Sequence, residues 1–244
     1  MSTEGEASKA ASRRGLFAAG LLGYLVGSFP TADLVSKYVT RRNGDAGVDL
    51  RAAGSGNPGA VNAATVLGRK WGLLVVAGDM IKGIAACLLG RATAGDNGAY
   101  LAGTTAVAGH CYPAWSGFRG GKGVATSFAT TLACFPAYAP FDLAVFATTF
   151  FLSKGRASLA TAAPDTQPPA RTGVLVASGL FSAAAAYWWR RGKGNLWGPK
   201  PTAGLPLYAL ATSGIIALRL LTWSTVARPE PSEQLREKEP TLVA

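Results

Sequence analysis

The sequence predicts an all-α, multi-pass transmembrane helical bundle of about six or seven spans. Three observations predict it. Of 244 residues, 49% are apolar and only 15% charged, against about 25% charged in a typical soluble domain. The apolar residues gather in long runs rich in Gly and Ala, small residues that let membrane helices approach closely. The basic residues behind the net charge of +11 fall between those runs. Such spacing suits topology and contact with anionic lipid or phosphate. It lacks the basic face and motif of a nucleic-acid binder, so no nucleic-acid partner is expected.

Met1–Arg14 is a polar tail ending in Arg13-Arg14. The apolar run after it continues to Val39 without a clear small-residue cleavage site, so it reads as a retained first span, Gly15–Val39. Asp33 and Lys37, four residues apart, are able to pair on one helical face. Thr40–Lys70 is polar and carries Arg41, Arg42, Arg51, Arg69 and Lys70 against Asp45 and Asp49. The positive-inside rule makes it cytoplasmic. Trp71–Leu89 is a second span holding Asp79 and Lys82, whose cost at that depth calls for pairing or a polar cavity. Arg91–Gly98 suits an external loop, and Tyr100–Trp115 forms most of a third span.

Val124–Ser153 is an apolar block broken at Pro136 and Pro140, read as two short spans or a hairpin. Ala163–Arg171 has three prolines and is a linker or loop. Gly173–Trp189 and about Leu205 to Trp223 are the last spans. The transmembrane domain is thus placed at 15–226, with a charged tail over 227–244. Counting spans from outside puts the Arg190, Arg191, Lys193 and Lys200 cluster outside, against the charge rule. A crossing or re-entry between Ala157 and Arg171 restores it to the cytoplasmic face, and that placement is adopted. Cys87, Cys111 and Cys134 lie in apolar runs without paired spacing, as buried hydrophobes do.

Two polar stretches carry the chemistry. Gly109–Thr126 passes His110 and a Pro-Ala-Trp corner, then opens into Arg119, Gly120, Gly121, Lys122 and Gly123. Glycines there can turn N–H groups toward an anion, two cations add charge, and a helix starting near Gly123 adds its positive end. The stretch is not a nucleotide P-loop, because Ser116 stands at the first Gly position and Gly123 follows the Lys. A basic turn that only fixes topology is the alternative. The other stretch, Asp49–Asn62, holds Arg51, Gly54, Ser55, Gly56, Asn57 and Asn62, donors suited to phosphate oxygens or polyols. Gly-Asn-Pro-Gly is also strong turn chemistry. His110 serves either as proton acceptor or phosphate donor, or as a helix-bridging residue.

Taken together, GSGNPGAVNA and the Gly-His-x-Tyr-Pro…Gly-Phe-Arg-Gly-Gly-Lys-Gly-Val-Ala-Thr run resemble the bacterial membrane acyl-phosphate:glycerol-3-phosphate acyltransferases. Asp49-Leu50-Arg51, the Ala77–Gly83 run and Arg156–Ala160 fit the same pattern, over roughly Gly23–Leu159. The resemblance implies transfer of an acyl group from acyl phosphate to the 1-hydroxyl of glycerol 3-phosphate, giving lysophosphatidic acid for phospholipid synthesis. It implies a cytoplasmic-membrane location, a site facing the cytoplasm and no metal or other cofactor. Lys122, Ser55 and His110 are the catalytic candidates. The phosphate-binding candidates are Arg119, Gly120, Gly121, Gly123, Gly54, Gly56, Asn57, Asn62 and Arg51.

Two departures stand out. Thr65 occupies the place of an expected arginine, with Arg69 and Arg51 as the two candidate substitutes. The third family motif, His-Arg-Glu-Asn-Ile, has as its nearest match Gly192–Leu196, which keeps only Asn195 and a basic residue. Asn195 is therefore also a phosphate-binding candidate, expected beside the Gly-rich loop. A non-catalytic relative binding lipid phosphate or a partner, and a transporter of small anionic solutes, are the alternatives. Inverted repeats would mark the transporter, and none is visible.

Overall fold

A computed structural model of the chain describes residues 2–43, 48–145, 148 and 168–223. Helix α1 (Ser2–Gly27) is followed by α2 (Thr31–Asn43) and the short α3 (Ala60–Val66). The long α4 (Arg69–Cys111) leads through a 3-10 turn at Ala114–Ser116 to α5 (Val124–Cys134). Helices α6 (Pro168–Arg190) and α7 (Gly204–Trp223) complete the described fold. All the described regular structure is helical.

The polar tail is not separate: α1 runs unbroken from Ser2 into the first apolar segment. The span expected over Gly15–Val39 falls within an apolar stretch long enough to cross, Ser12–Arg42, but its helix is interrupted, because α1 stops at Gly27 and Pro30 precedes the start of α2. Asp33 and Lys37 do not pair. Asp33 turns to Arg51 across the loop, and Lys37 is exposed.

Helix α4 is two arms. Ala94 and Gly95 leave helical geometry, Gly95 at φ +64°, and the chain folds back so that Gly90 meets Gly98. The 48-residue apolar stretch Arg69–Ser116 therefore forms the second and third spans as a tight hairpin. Helix α1 lies along the second arm, with Gly23 against Ala102 and Gly27 against Ala106. A Cβ on Gly23 would stand 2.6 Å from Ala102 Cα. This four-residue pairing of small residues replaces apolar side-chain packing with backbone proximity.

Outward faces carry Leu74, Ile81 and Leu88 on α4, and Leu207, Leu218 and Leu221 on α7, all exposed. Apolar faces repeated on neighbouring helices suit lipid rather than water. The internal core gathers Tyr100, Phe135, Tyr138, Phe181 and Tyr208 near the hairpin tip. Phe181 meets the Tyr208 ring edge-on, joining α6 to α7. At 11 residues, α5 is too short to cross alone.

The loop after α6 lies at the hairpin-tip end. Thr202 Oγ1 bonds Asn97 Oδ1 at 2.6 Å, Arg91 donates to the Trp197 carbonyl, and Tyr100 donates to that of Pro199. The Gly-rich loop follows the opposite end of the second arm. The Arg190–Lys200 cluster and the Gly-rich loop are thus at opposite ends of the bundle, which overturns the shared face adopted from charge alone. Residues 157–167 of the expected re-entry lie outside the described residues, as do Arg156–Ala160 and the 227–244 tail.

Cysteines introduced singly at exposed Lys193 and Arg119 should therefore label with impermeant reagent from opposite sides of sealed vesicles. Labelling of both from one side would contradict this arrangement.

Candidate functional site

Asn62 builds the first loop. Its Nδ2 donates to the Leu50 and Ala53 carbonyls, both at 2.9 Å, while its Oδ1 accepts from Ser55 N at 2.8 Å. Gly54 and Gly56 adopt φ of +60° and +73°, the left-handed turn geometry that closes this loop around the amide. Asn62 thus spends its hydrogen-bonding capacity on the loop itself, a different use from the expected phosphate contact. Asn57 is also buried, with Oδ1 unpartnered.

Arg51 ties this loop to two others. It forms a forked ion pair with Asp33, Nη2 to Oδ2 at 3.1 Å, and its Nε donates to the Arg119 carbonyl at 2.8 Å. Bidentate geometry fixes the guanidinium plane. Thr65 is exposed and donates back to Val61, and Arg69 is exposed at the start of α4. Of the two proposed substitutes for the missing arginine, Arg51 is the one at the cavity.

In the Gly-rich loop, the amides from Gly117 to Gly121 all donate within the protein. Gly120 N reaches the Cys111 carbonyl and Gly121 N the His110 carbonyl, each at 3.1 Å. These bonds satisfy carbonyls that the end of α4 leaves open. The expectation that Gly120 and Gly121 turn their amides to an anion is therefore corrected. Neither has a positive φ; they are needed for close approach. A Cβ on Gly120 would run into the His110 carbonyl, and one on Gly121 into the His110 ring. Gly123 does take the left-handed conformation, at φ +83°, and starts α5. Lys122 is half-buried between these glycines, and Arg119 is exposed.

The folded-back loop closes one side of a cavity of about 290 Å³, counting its open mouth. Its wall includes Ser28, Thr31, Arg51, Lys82, His110 and Gly121. Lys82 Nζ lies 2.8 Å from Asp79 Oδ1 and donates to the Phe29 carbonyl at 3.2 Å. His110 Nδ1 stands 3.5 Å from the same Asp79 oxygen, without an aligned hydrogen bond. Ser28 Oγ and Thr31 Oγ1 are likewise buried and unpartnered. In a cavity wall such atoms are open to hydrogen bonding by a polar ligand or by water.

His110, Arg51, Gly120 and Gly121 meet at this cavity, whereas Ser55, Asn57 and Lys122 belong to its two flanking loops rather than to its wall. Asn195 is at the far end. Its Nδ2 donates to the Cys134 and Pro199 carbonyls at 2.9 and 2.7 Å, closing the loop after α6. Its expected approach to the Gly-rich loop does not occur.

The profile of the glycerol-3-phosphate acyltransferase family matches residues 17–222. The chain belongs to that family. Among relatives of the same name, that of Thermoanaerobacter pseudethanolicus is 40% identical over 134 residues, 55% of this chain and 65% of its own. That of Rubrobacter xylanophilus is 44% identical over 128 residues, 52% of this chain and 59% of its own. These alignments span less than two thirds of the relatives' length. Two crystal structures of PlsY, an integral membrane glycerol 3-phosphate acyltransferase, are also similar. Its glycerol 3-phosphate form matches with a TM-score of 0.59 and 26% identity, over 90% of this chain and 98% of that one. The lysophosphatidic acid form gives 0.55 and 25%, over 92% and 94%. The apolar helices and the integral membrane homologue establish a membrane protein.

Sequence reasoning missed two features of this glycerol-3-phosphate acyltransferase family site. Ser28 and Thr31 flank a proline inside an apolar run, where freed backbone must line protein or a cavity. Arg219, alone in the last apolar helix, is bonded to the Gly-rich loop. An ionisable residue at such a position is itself a site signal.

Replacing Gly121 by Ala should cost about 1–3 kcal/mol of stability, since the methyl group meets the His110 ring. Gly194→Ala, with open space around it, should change little. Thermal unfolding in detergent compares the two.

Proposed function

We propose that the protein transfers an acyl group from acyl phosphate to the 1-hydroxyl of glycerol 3-phosphate, releasing lysophosphatidic acid and phosphate. The observation that carries this reading is a cavity shared by both motif loops, with Ser28, Thr31 and His110 unpartnered in its wall. A hydroxyl-bearing phosphate ester supplies the acceptors and donors that such a wall requires. Lysophosphatidic acid in one of the similar crystal structures supports the same product here.

Acyl phosphate is already activated, so placement and charge stabilisation carry most of the catalysis. The 1-hydroxyl oxygen forms a bond to the acyl carbon, and the bond from that carbon to the phosphate oxygen breaks. Phosphate leaves with the electron pair. In this reading His110 receives the hydroxyl proton and passes it to the departing phosphate. Arg51 and Lys82, at the cavity, and Lys122 and Arg119, beside it, are the cations for the substrate phosphates. Arg51 and Lys82 are each paired with a carboxylate, so a phosphate exchanges with Asp33 or Asp79 rather than meeting bare charge. The acyl chain lies along the lipid-facing helices. The site faces the cytoplasm of a bacterial cytoplasmic membrane, in keeping with the basic Thr40–Lys70 segment beside it.

Purified protein supplied with acyl phosphate and glycerol 3-phosphate should form lysophosphatidic acid. Lys122→Ala should lower turnover by ~100-fold or more, whereas Arg91→Ala, at the far end, should stay within about two-fold. Folded wild-type protein that binds both substrates without turnover would instead identify a non-catalytic relative.

A further inference from the structure

We propose that Arg219 is a positioning residue that locks the Gly120–Gly121 segment onto the end of α4 and thereby sets the cavity wall. Arg219 is buried near the end of α7. Its Nη2 donates to the Gly120 carbonyl at 2.6 Å and its Nε to the Gly121 carbonyl at 3.2 Å. Its guanidinium lies 5.3 Å from the Tyr112 ring centre, a cation–π contact. Tyr112 is itself fastened, its carbonyl accepting from Tyr24 of α1 at 2.8 Å.

The glycine pair is consequently bonded on both sides. Its amides bind the α4 carbonyls, and its carbonyls bind the guanidinium. A planar fork can hold two successive carbonyls at once, which an ammonium cannot reproduce. Arg219 does not line the cavity, so its effect passes through the loop to His110, against which Gly121 is packed, and to Lys122, the next residue. The last helix thus contributes to the site although Gly192–Leu196 lies at the far end. The catalytic consequence rests on the proposed acyl transfer; the structural one does not.

Cys111 makes the structural part measurable. It is fully buried, and a Cβ on Gly123 would stand 2.7 Å from its Sγ, so the loop covers the thiol. Cys87 and Cys134 lie 3.3 Å apart in the aromatic core, remote from Arg219. Arg219→Lys and Arg219→Met in the full-length protein are treated with N-ethylmaleimide in detergent, and each labelled cysteine is assigned by mass spectrometry. Both variants should label Cys111 at least ~10-fold faster than wild type, as local opening requires, with Cys87 and Cys134 still protected. Lysine should not restore protection. In the acyl-transfer assay kcat/KM should fall by about a hundredfold, the scale of a misplaced constellation. Unchanged Cys111 labelling overturns the proposal whether or not the protein has acyltransferase activity. Simultaneous exposure of all three thiols also overturns it, because Arg219 would then support the whole bundle. Cys111 exposure with wild-type kcat/KM rejects the catalytic consequence, and a wild type lacking turnover counts against the acyltransferase reading alone.

Discussion

The second arm of α4 ends with open carbonyls in an apolar setting, and the chain satisfies them by folding its own glycines back. Gly120 and Gly121 donate to Cys111 and His110. Each such bond contributes about 0.5–1.5 kcal/mol net, but leaving the carbonyls buried and unpaired would cost more. That constraint explains why side chains are absent at both positions and why His110 stands where it does. It also explains the place of Arg219, which takes the carbonyls the turn leaves facing inward. The cavity follows from this closure, because the glycine pair forms one side of it and His110 another.

Around that closure the site is assembled from groups that arrive already paired. Asp33 accompanies Arg51, and Asp79 accompanies Lys82. Buried charges in a membrane protein require such partners. The arrangement keeps the bundle stable before a substrate phosphate arrives, while Arg51 links the first loop to the second through the Arg119 carbonyl. Binding and folding thus draw on the same few residues. Substitutions here affect both.

Much of this was legible in the sequence. Apolar runs predicted a helical membrane bundle, and it was the joint resemblance of the two motif stretches to one family that put them at one site; each alone also read as an ordinary or basic turn. Glycines could be read as unusual, but not for which purpose. Positive φ serves Gly54, Gly56 and Gly123, whereas Gly120 and Gly121 serve close packing against His110 and Cys111 at the end of α4. No local pattern separates these uses. The charge rule puts Asn195 on the face of the Gly-rich loop, whereas the connectivity of the spans carries it to the other end. The structure uses Asn195 to close a turn beneath Cys134. Arg219 left a clear trace, a single cation in an apolar helix, but its partners are about a hundred residues away in sequence.

The most direct measurement of the central claim is amide hydrogen exchange at Gly120 and Gly121 in the ligand-free protein. Amides bonded to the end of α4 should exchange slowly, on the scale of the helix they close. Addition of glycerol 3-phosphate should then change them little. Rapid exchange in the free protein, with strong protection appearing only when glycerol 3-phosphate binds, would contradict the account and return the glycine pair to an anion-binding role.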